Sequence, residues 1–394
     1  MPAGYCKMRI LYIGTPYSIH DVKWATFFSA LEEYEVFFIC EKQNIPPGET
    51  EAGIKEYYRQ LNITFLGSID SFSISHLLST ISSIVQLKRF IRQNQVELVH
   101  ILFAAPFALW GLFIPCKYTI TTRGSDILIA IPDLKKERGI KGFYFRILFR
   151  LFKSSFNKAE KITCTSSTQV ERTKQLMHVQ KEPVIIRTGV EVDAINSINS
   201  NELIDARVKG QKFIFSPRYM KPVYNIALQV EAIEKLNTDI LKNYWFVFIR
   251  GANYDKKYFG NVAGKLERLK IEKGLKYLVI NQMSQQQIWQ YYKYASLTVM
   301  TPLSDGTPNT ALEAMAAKCP LIIPDLPYDA ALFNGTCIKL DYYDAGELAK
   351  KITLALTNYP KELTGKAFEA VSKFGNRRIE MLKLNELYKE INKG

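Results

Sequence analysis

The chain of 394 residues has little that would mark an exported, membrane-spanning or metal-built protein. Its six cysteines, Cys6, Cys40, Cys116, Cys164, Cys319 and Cys337, form no Cys-x-x-Cys pair, which argues against a disulfide framework or a thiolate metal site and fits a reducing cytosol. The opening "MPAGYCKMRILYIGTPYS" has no apolar run of signal-peptide length and reads as a strand, Met8 to Ile13, ending in a Gly/Pro loop. A cytoplasmic location is the expectation. Leu98 to Cys116, "LVHILFAAPFALWGLFIPC", approaches the roughly 20 residues of a membrane span. His100, Pro106 and Pro115 interrupt it, and it divides into a strand over Glu97 to Phe103, a short buried helix and a strand from Lys117 to Thr121. No short repeat or low-complexity tract appears.

What is present is an ordinary globular composition, 47% hydrophobic and 23% charged, on a chain too long for one compact unit. Two domains are expected. The formal net charge of +14 draws anionic partners to the whole surface, whether phosphorylated substrates, nucleic acid or an acidic lipid face. No aromatic platform or recognised nucleic-acid module accompanies the basic residues, so no nucleic-acid partner is expected.

Strand-like segments alternate with helical ones: Arg9 to Ile13, Glu35 to Cys40, Ile63 to Leu66, Val96 to Phe103, Tyr118 to Thr122, Lys161 to Thr165 and Pro183 to Ile186. Between them lie amphipathic stretches such as Ser75 to Gln93, with Leu77, Leu78, Ile81, Ile84, Val85, Leu87 and Phe90 near helical spacing. Such alternation predicts a parallel sheet covered on both faces. After Arg187 the chain turns polar, and the rhythm restarts at Lys212. The expected organisation is a Rossmann-like domain over 1–187, a linker over 188–211, a second Rossmann-like domain over 212–375 and a final helix over 376–394. In such α/β folds ligands bind at the carboxyl ends of the strands, so a cleft between two facing domains is the expected binding place.

The stretch "TPLSDGTPNTALEAMAAKCPLIIPD", Thr301 to Asp325, concentrates the chemistry. A strand from Leu297 to Met300 delivers the chain to a turn, and Asn309 begins a helix through about Lys318. Backbone amides from Gly306 to Thr310 then form a helix N-terminus, a ready site for phosphate. Asp305 precedes that helix and Glu313 lies one turn inside it, so both can border one ligand. A capping acid plus a buried helix glutamate is the plainer alternative.

"SDGTPNTALEAMAAKCPLI" is similar to the signature E-G-x-P-x-x-x-L-E-A-M-A-x-G-x-P-V-I of the retaining, GT-B type glycosyltransferases of family 4, with seven residues between the two acids and Asp305 where glutamate is usual. "FIFSPRYMKPVYNIALQVEAI" looks like the family's phosphate segment, "RTGVEVDAI" like its interdomain turn, "SIHDVKWATFFSALEEYEVFFI" like its opening strand-loop-helix, and "YTITTRGSDIL" like a loop found in part of it. The resemblance spans Met8 to Pro324. It implies a GT-B fold, with a nucleotide-sugar donor on the second domain and a glycan or lipid-linked acceptor on the first. By position it implies Glu313 on the ribose, Asp305 at the sugar ring, and Arg218 with the amides of Gly306, Thr307, Pro308, Asn309 and Thr310 around the diphosphate, the proline contributing position rather than a donor. Asn281 and Met283, in the loop Asn281 to Ser284, with Arg250, complete the donor set. Oriented amides and an arginine fork suit a leaving group that develops negative charge. No Asp-x-Asp triplet falls in a plausible metal-binding loop, the nearest acidic triplet being Glu191-Val192-Asp193, so neither a metal nor another cofactor is expected.

The chain also departs from the family pattern. The lysine expected about five residues after Arg218 is missing, Val223, Tyr224 and Asn225 standing there, and Lys221 is the nearest substitute. The histidine that often follows a threonine in the first domain is absent from Thr122-Arg123-Gly124-Ser125-Asp126, which leaves Arg123 or Asp126 to take part of its task. His20 and Ser125 join Arg123 on the acceptor side. An inactive scaffold that binds nucleotide, and an epimerase or phosphorylase of the same architecture, stay open as alternatives.

From Lys135 to Lys161 run nine Lys/Arg and two Glu, a net 9 − 2 = +7. Phe143, Ile147, Leu148, Leu151 and Phe152 fall near one helical face with basic flanks. Two readings stand side by side: a helix resting on an anionic membrane, which would make the protein peripheral on the inner face of the plasma membrane, and a core-facing helix with a solvated basic edge.

Overall fold

Thirteen strands form two parallel sheets in the computed structural model, which describes residues 7–134, 136 and 138–393. Cys6, Lys135 and Glu137 lie outside the described residues. The first sheet holds β1 (Met8–Ile13), β2 (Tyr34–Glu41), β3 (Thr64–Ile69), β4 (Leu98–Ile101), β5 (Lys117–Thr122), β6 (Lys161–Cys164) and β7 (Val184–Ile185), in the order 3-2-1-4-5-6-7. The second holds β8 (Phe213–Ser216), β9 (Trp245–Ile249), β10 (Tyr277–Ile280), β11 (Leu297–Val299), β12 (Leu321–Pro324) and β13 (Ile338–Leu340), in the order 10-9-8-11-12-13. Fully parallel strands need both faces covered, which is why "MRILYI" and "YEVFFICE" read as near-continuous apolar runs and are buried along almost their whole length. Each sheet reverses its strand order once, at the β1/β4 and β8/β11 neighbours, and loops at the carboxyl ends of those strands are where such folds bind ligands.

The chain divides into two compact units, Met1–Thr188 with Met381–Gly394, and Gly189–Glu380. Within the first, the last helix, Arg377–Lys393, brings Met381, Leu384, Leu387, Tyr388 and Ile391 against Ile10, Tyr12, Trp24 and Phe28. A buried polar chain accompanies this packing. His100 Nδ1 meets the Tyr388 hydroxyl, Tyr388 lies 3.2 Å from the Tyr12 hydroxyl, and His100 Nε2 lies 2.6 Å from Thr121 Oγ1. Burial, with the nearby Arg123 charge second, pushes the His100 pKa down to about 3, so the imidazole is neutral in the folded protein.

In the second unit, the stretch expected to be a linker is part of the core. Val190, Val192, Ile195, Ile204 and Val208 are buried with Phe213, Leu312 and Val371, apolar positions that the surrounding polar residues conceal in the sequence. Val190 also hydrogen-bonds Gly375 and Arg377 through its backbone, and Gly189 makes the approach possible, since a Cβ there would lie 2.6 Å from the Arg377 Cα. Strand β13 comes after Pro320 to Pro324, the last strand expected from the sequence.

Leu98 to Cys116 divides as expected, into β4 and the short helix Phe107–Leu112 ahead of β5, and no helix of the described residues is long and apolar enough to cross a membrane. One expectation about the first unit changes. In the helix Leu77–Gln93, only part of the expected apolar set faces the sheet: Leu87 is buried, with Ile91 from outside that set, and Ile84 and Phe90 pack partly buried, whereas Leu77, Leu78, Ile81 and Val85 are exposed. The basic segment forms the helix Gly139–Lys158, whose Leu148, Phe152 and Phe156 join the core while Phe143, Arg146 and Arg150 are exposed.

Candidate active site

The loops after β8 and β11 meet at the order reversal of the second sheet. Leu303 N donates to the Val223 carbonyl at 2.8 Å, and Thr301 Oγ1 bridges between the two loops, donating to the Asn225 carbonyl at 2.9 Å and accepting from Gln229 Nε2 at 3.0 Å. These ties fix Arg218 against the start of the helix Asn309–Ala316. Its NH1 donates to Thr310 Oγ1 at 2.9 Å, its NH2 lies 2.8 Å from Asp305 Oδ2, and its guanidinium sits 4.0 Å above the Tyr224 ring. An arginine held by an acid, a hydroxyl and an aromatic face is oriented before any ligand arrives.

Asp305 uses its other oxygen to accept from the Gly306 amide at 2.9 Å. The amide expected to wait for phosphate is thus occupied by the acid beside it. Glu313, one turn into the helix, is buried, and its Oε1 accepts from Gln285 Nε2 at 2.7 Å and Trp289 Nε1 at 3.3 Å. Gln285 and Trp289 were missed in the sequence. Their spacing of four residues places both on one face of the helix Gln285–Tyr294, a signal that was available. Ser284 starts that helix with a capping box to Gln287, so the loop Asn281 to Ser284 is held at both ends: Asn281 accepts from the Gly251 amide at 2.9 Å, and Met283 packs on the core.

The remaining donor-side candidates lie on neighbouring loops. The Arg250 guanidinium rests 4.6 Å from the Tyr254 ring centroid. Lys221 lines a hollow of about 400 Å³ with Pro222, Val223, Asn253, Tyr254 and Asp255. Gly251 between them is required, because a Cβ there would enter the Tyr219 ring at 2.3 Å.

In the first unit the corresponding loops are organised differently. Asp126 is fully buried, and its carboxylate accepts from the amides of Ala104 at 2.9 Å, Arg123 at 3.1 Å, Gly124 at 2.9 Å and Ile127 at 2.8 Å. Burial raises its pKa while those four amides oppose the rise. This acid, expected to serve catalysis, closes the loop after β5 and ties it to the loop after β4. Arg123 pairs with Asp21 and lies 5.2 Å over the Trp24 ring. Asp21 also accepts from the Thr15 amide at 2.7 Å, which links the β1 loop to the β5 loop through one ion pair. His20, beside Asp21 at the start of the helix Ile19–Ser29, and Ser125 are exposed.

No group of three or more His, Cys, Asp or Glu suited to a metal ion occurs among the described residues. The residues around Arg218 offer a cation and amide donors to an anion, a hydroxyl at the helix start, and the carboxylate of Glu313 behind them.

The family model described as glycosyl transferases group 1 matches residues 201–369, and the model described as Glycosyltransferase Family 4 matches residues 28–194. No curated protein matches the chain in sequence. Among solved structures, a glycosyltransferase from Rickettsia africae superposes with a TM-score of 0.74 at 18% identity, covering 98% of this chain and 99% of that one. HepE of Anabaena in complex with UDP gives 0.73 at 12% identity over 97% and 100% of the two chains, and sucrose-phosphate synthase from Thermosynechococcus elongatus gives 0.69 at 13% over 98% and 99%. These likenesses establish the GT-B fold. With one model on each unit, the chain belongs to the group 1 glycosyltransferases.

Proposed function

We propose that the protein is a retaining glycosyltransferase that moves a hexosyl group from a nucleotide-sugar donor to a glycan or lipid-linked acceptor in the synthesis of a surface polysaccharide or glycoconjugate, without a metal ion. The observation that carries this reading is the oriented Arg218, fixed between Asp305, Thr310 and the Tyr224 ring at the N-terminus of the Asn309–Ala316 helix. HepE, of the same fold, was solved with UDP and with UDP-glucose, which supports a nucleotide-sugar donor.

The chemistry follows from where charge develops. The bond from the sugar to the diphosphate breaks ahead of bonding to the acceptor, so the ring becomes oxocarbenium-like while negative charge collects on the leaving group. Arg218 and the helix-start amides stabilise that charge, and loss of one such donor typically costs about 3 kcal/mol of barrier. Asp305 has a double part. Without ligand it satisfies Arg218 and the Gly306 amide, and an incoming diphosphate takes over both partners. The released carboxylate then faces the sugar ring and stabilises its positive charge. Glu313 accepts ribose hydroxyls, with Gln285 and Trp289 holding its orientation. On the first unit, Arg123 and His20 face the acceptor.

A thermal-shift panel of UDP, GDP, ADP and their sugars tests the reading, because a ligand that binds only the native state raises its stability by mass action. At least one nucleotide and its sugar are expected to stabilise the protein, and the matching sugar nucleotide to turn over with retained anomeric configuration by NMR. Stabilisation without turnover on any acceptor would instead favour an inactive scaffold.

A further inference from the structure

We infer that one side of the first unit is a seat for an anionic lipid surface, and that the helix Leu77–Gln93 is its apolar wedge. The inference deepens the lipid-linked acceptor of the reading above. Two helices cover the same face of the first sheet: Leu77–Gln93 through Leu87 and Ile91, and Gly139–Lys158 through Leu148 and Phe152, all in one core cluster with Leu11, Ile39 and Ile101. Their opposite sides turn away from the sheet together. On the first helix that side carries Leu78 at 85% exposure, Val85 at 62%, Leu77 at 60% and Ile81 at 47%. Single exposed apolar residues are ordinary, but four within nine residues on one helix form a patch of the kind that marks an interaction surface.

Charge narrows the occupant. Neither helix contains a single Asp or Glu, and together they hold eight Lys/Arg, three on Leu77–Gln93 (Lys88, Arg89, Arg92) and five on Gly139–Lys158. A second copy of this face would meet it with like charge. An anionic lipid surface offers both an apolar interior and a phosphate layer.

The order of residues along both helices has the matching geometry. Each helix follows a strand that ends at the carboxyl edge of the sheet, so each starts near that edge and runs back. On Leu77–Gln93 exposed apolar residues come first and exposed arginines follow, Ile81 before Arg89; on Gly139–Lys158 the exposed Phe143 stands before Arg150, with the exposed Lys136 and Arg138 just ahead of the helix. At the helical rise, these pairs are separated by about 12 Å and about 10 Å along the axis. That spacing matches apolar side chains about 5–10 Å below the headgroups with cations at the phosphates. The edge that would dip is the one bearing His20 and the Arg123 loop, so a lipid-linked acceptor would reach them from the membrane.

The test is flotation of the full chain with phosphatidylcholine vesicles, with and without phosphatidylglycerol. The wild type is expected to float with the anionic vesicles only. The variant L78Q/I81Q/V85Q should bind them about tenfold more weakly, while its melting temperature and its shift with nucleotide stay unchanged, because all three side chains are exposed and surface substitutions rarely unfold a protein. A second variant, R146Q/R150Q/K153Q, tests the basic side separately. If the wild type floats and the first variant floats equally well, the wedge is overturned while the basic surface stands. If the wild type floats with neither vesicle, the lipid seat is overturned entirely, and the nucleotide shift then shows whether the transferase reading survives it. If the first variant loses only self-association or an acidic protein partner, the surface belongs to that partner instead of lipid.

Discussion

The carboxyl-edge loops of the two units use an Asp in opposite ways. Both units are parallel sheets with one reversal of strand order; the second carries an Asp305-Gly306 turn after β11, at its reversal, and the first a Gly124-Ser125-Asp126 turn after β5, one strand beyond its own. In the first, Asp126 is fully buried and saturated by four backbone amides, so its charge is spent on the shape of its own loops. In the second, Asp305 binds one amide and one arginine that a diphosphate could also claim. An acid in a glycine-containing turn is therefore not a catalytic signal by itself. What separates the two is whether a competing ligand could replace the acid's partners.

Breaking the structural acid should have the largest effect. Asp126→Ala leaves three buried amides and one part-buried amide without an acceptor, each buried one worth about 1–3 kcal/mol, so a loss of about 3 kcal/mol or more in folding stability is expected by denaturant titration. Asp126→Asn should recover part of it through its remaining carbonyl oxygen. A soluble Asp126→Ala protein with wild-type stability and no turnover would return this acid to the catalytic machinery.

Acid should next separate the units. All four histidines precede Gly189, and His100 is held neutral with a folded pKa near 3, below its usual 6.5. The unfolded chain binds a proton below pH 6.5 that the folded unit refuses, so stability is constant above that pH and falls as pH drops from 6.5 toward 3. Hydrogen exchange between pH 7 and 5 should show the strands around His100 and the Arg377–Lys393 helix opening before the second sheet. Equal loss of protection in both units would contradict this.

Glu313→Ala gives a smaller and more local change. Its Oε1 already holds Gln285 and Trp289, and losing a hydrogen bond to a charged group costs about 1.5–3 kcal/mol. Calorimetry should show free nucleotide and sugar nucleotide weakened by the same factor, since both contain the ribose. Weakening of the sugar nucleotide alone would move Glu313 away from the ribose.

Much of this contrast was legible in the sequence. Alternating buried strands and amphipathic helices announce a doubly wound fold, and the strand-turn-helix around Asp305 announces an anion site, because short-range patterns determine both. Three features were hidden for long-range reasons. The partners of Asp126 include the Ala104 amide on another loop, which no local spacing reveals. Val190 and Val208 look like parts of a polar linker until the sheet that buries them exists. Leu78, Ile81 and Val85 fit a helical stripe, yet the sheet takes the neighbouring stripe of Leu87 and Ile91, so periodicity alone could not tell the core side from the outer one.

The central claim is that Asp305 holds the anion site until a diphosphate replaces it and then acts on the sugar. It is tested most directly by one paired measurement on Asp305→Ala: calorimetry with the free nucleotide beside turnover of the sugar nucleotide. The account predicts that nucleotide affinity is kept or improved, because the competing carboxylate is gone, while kcat falls by about 100-fold or more, as for an interaction realised mainly in the transition state. Full turnover with weakened nucleotide binding would contradict it, and Asp305 would then be only a tie between Arg218 and the turn ahead of the helix.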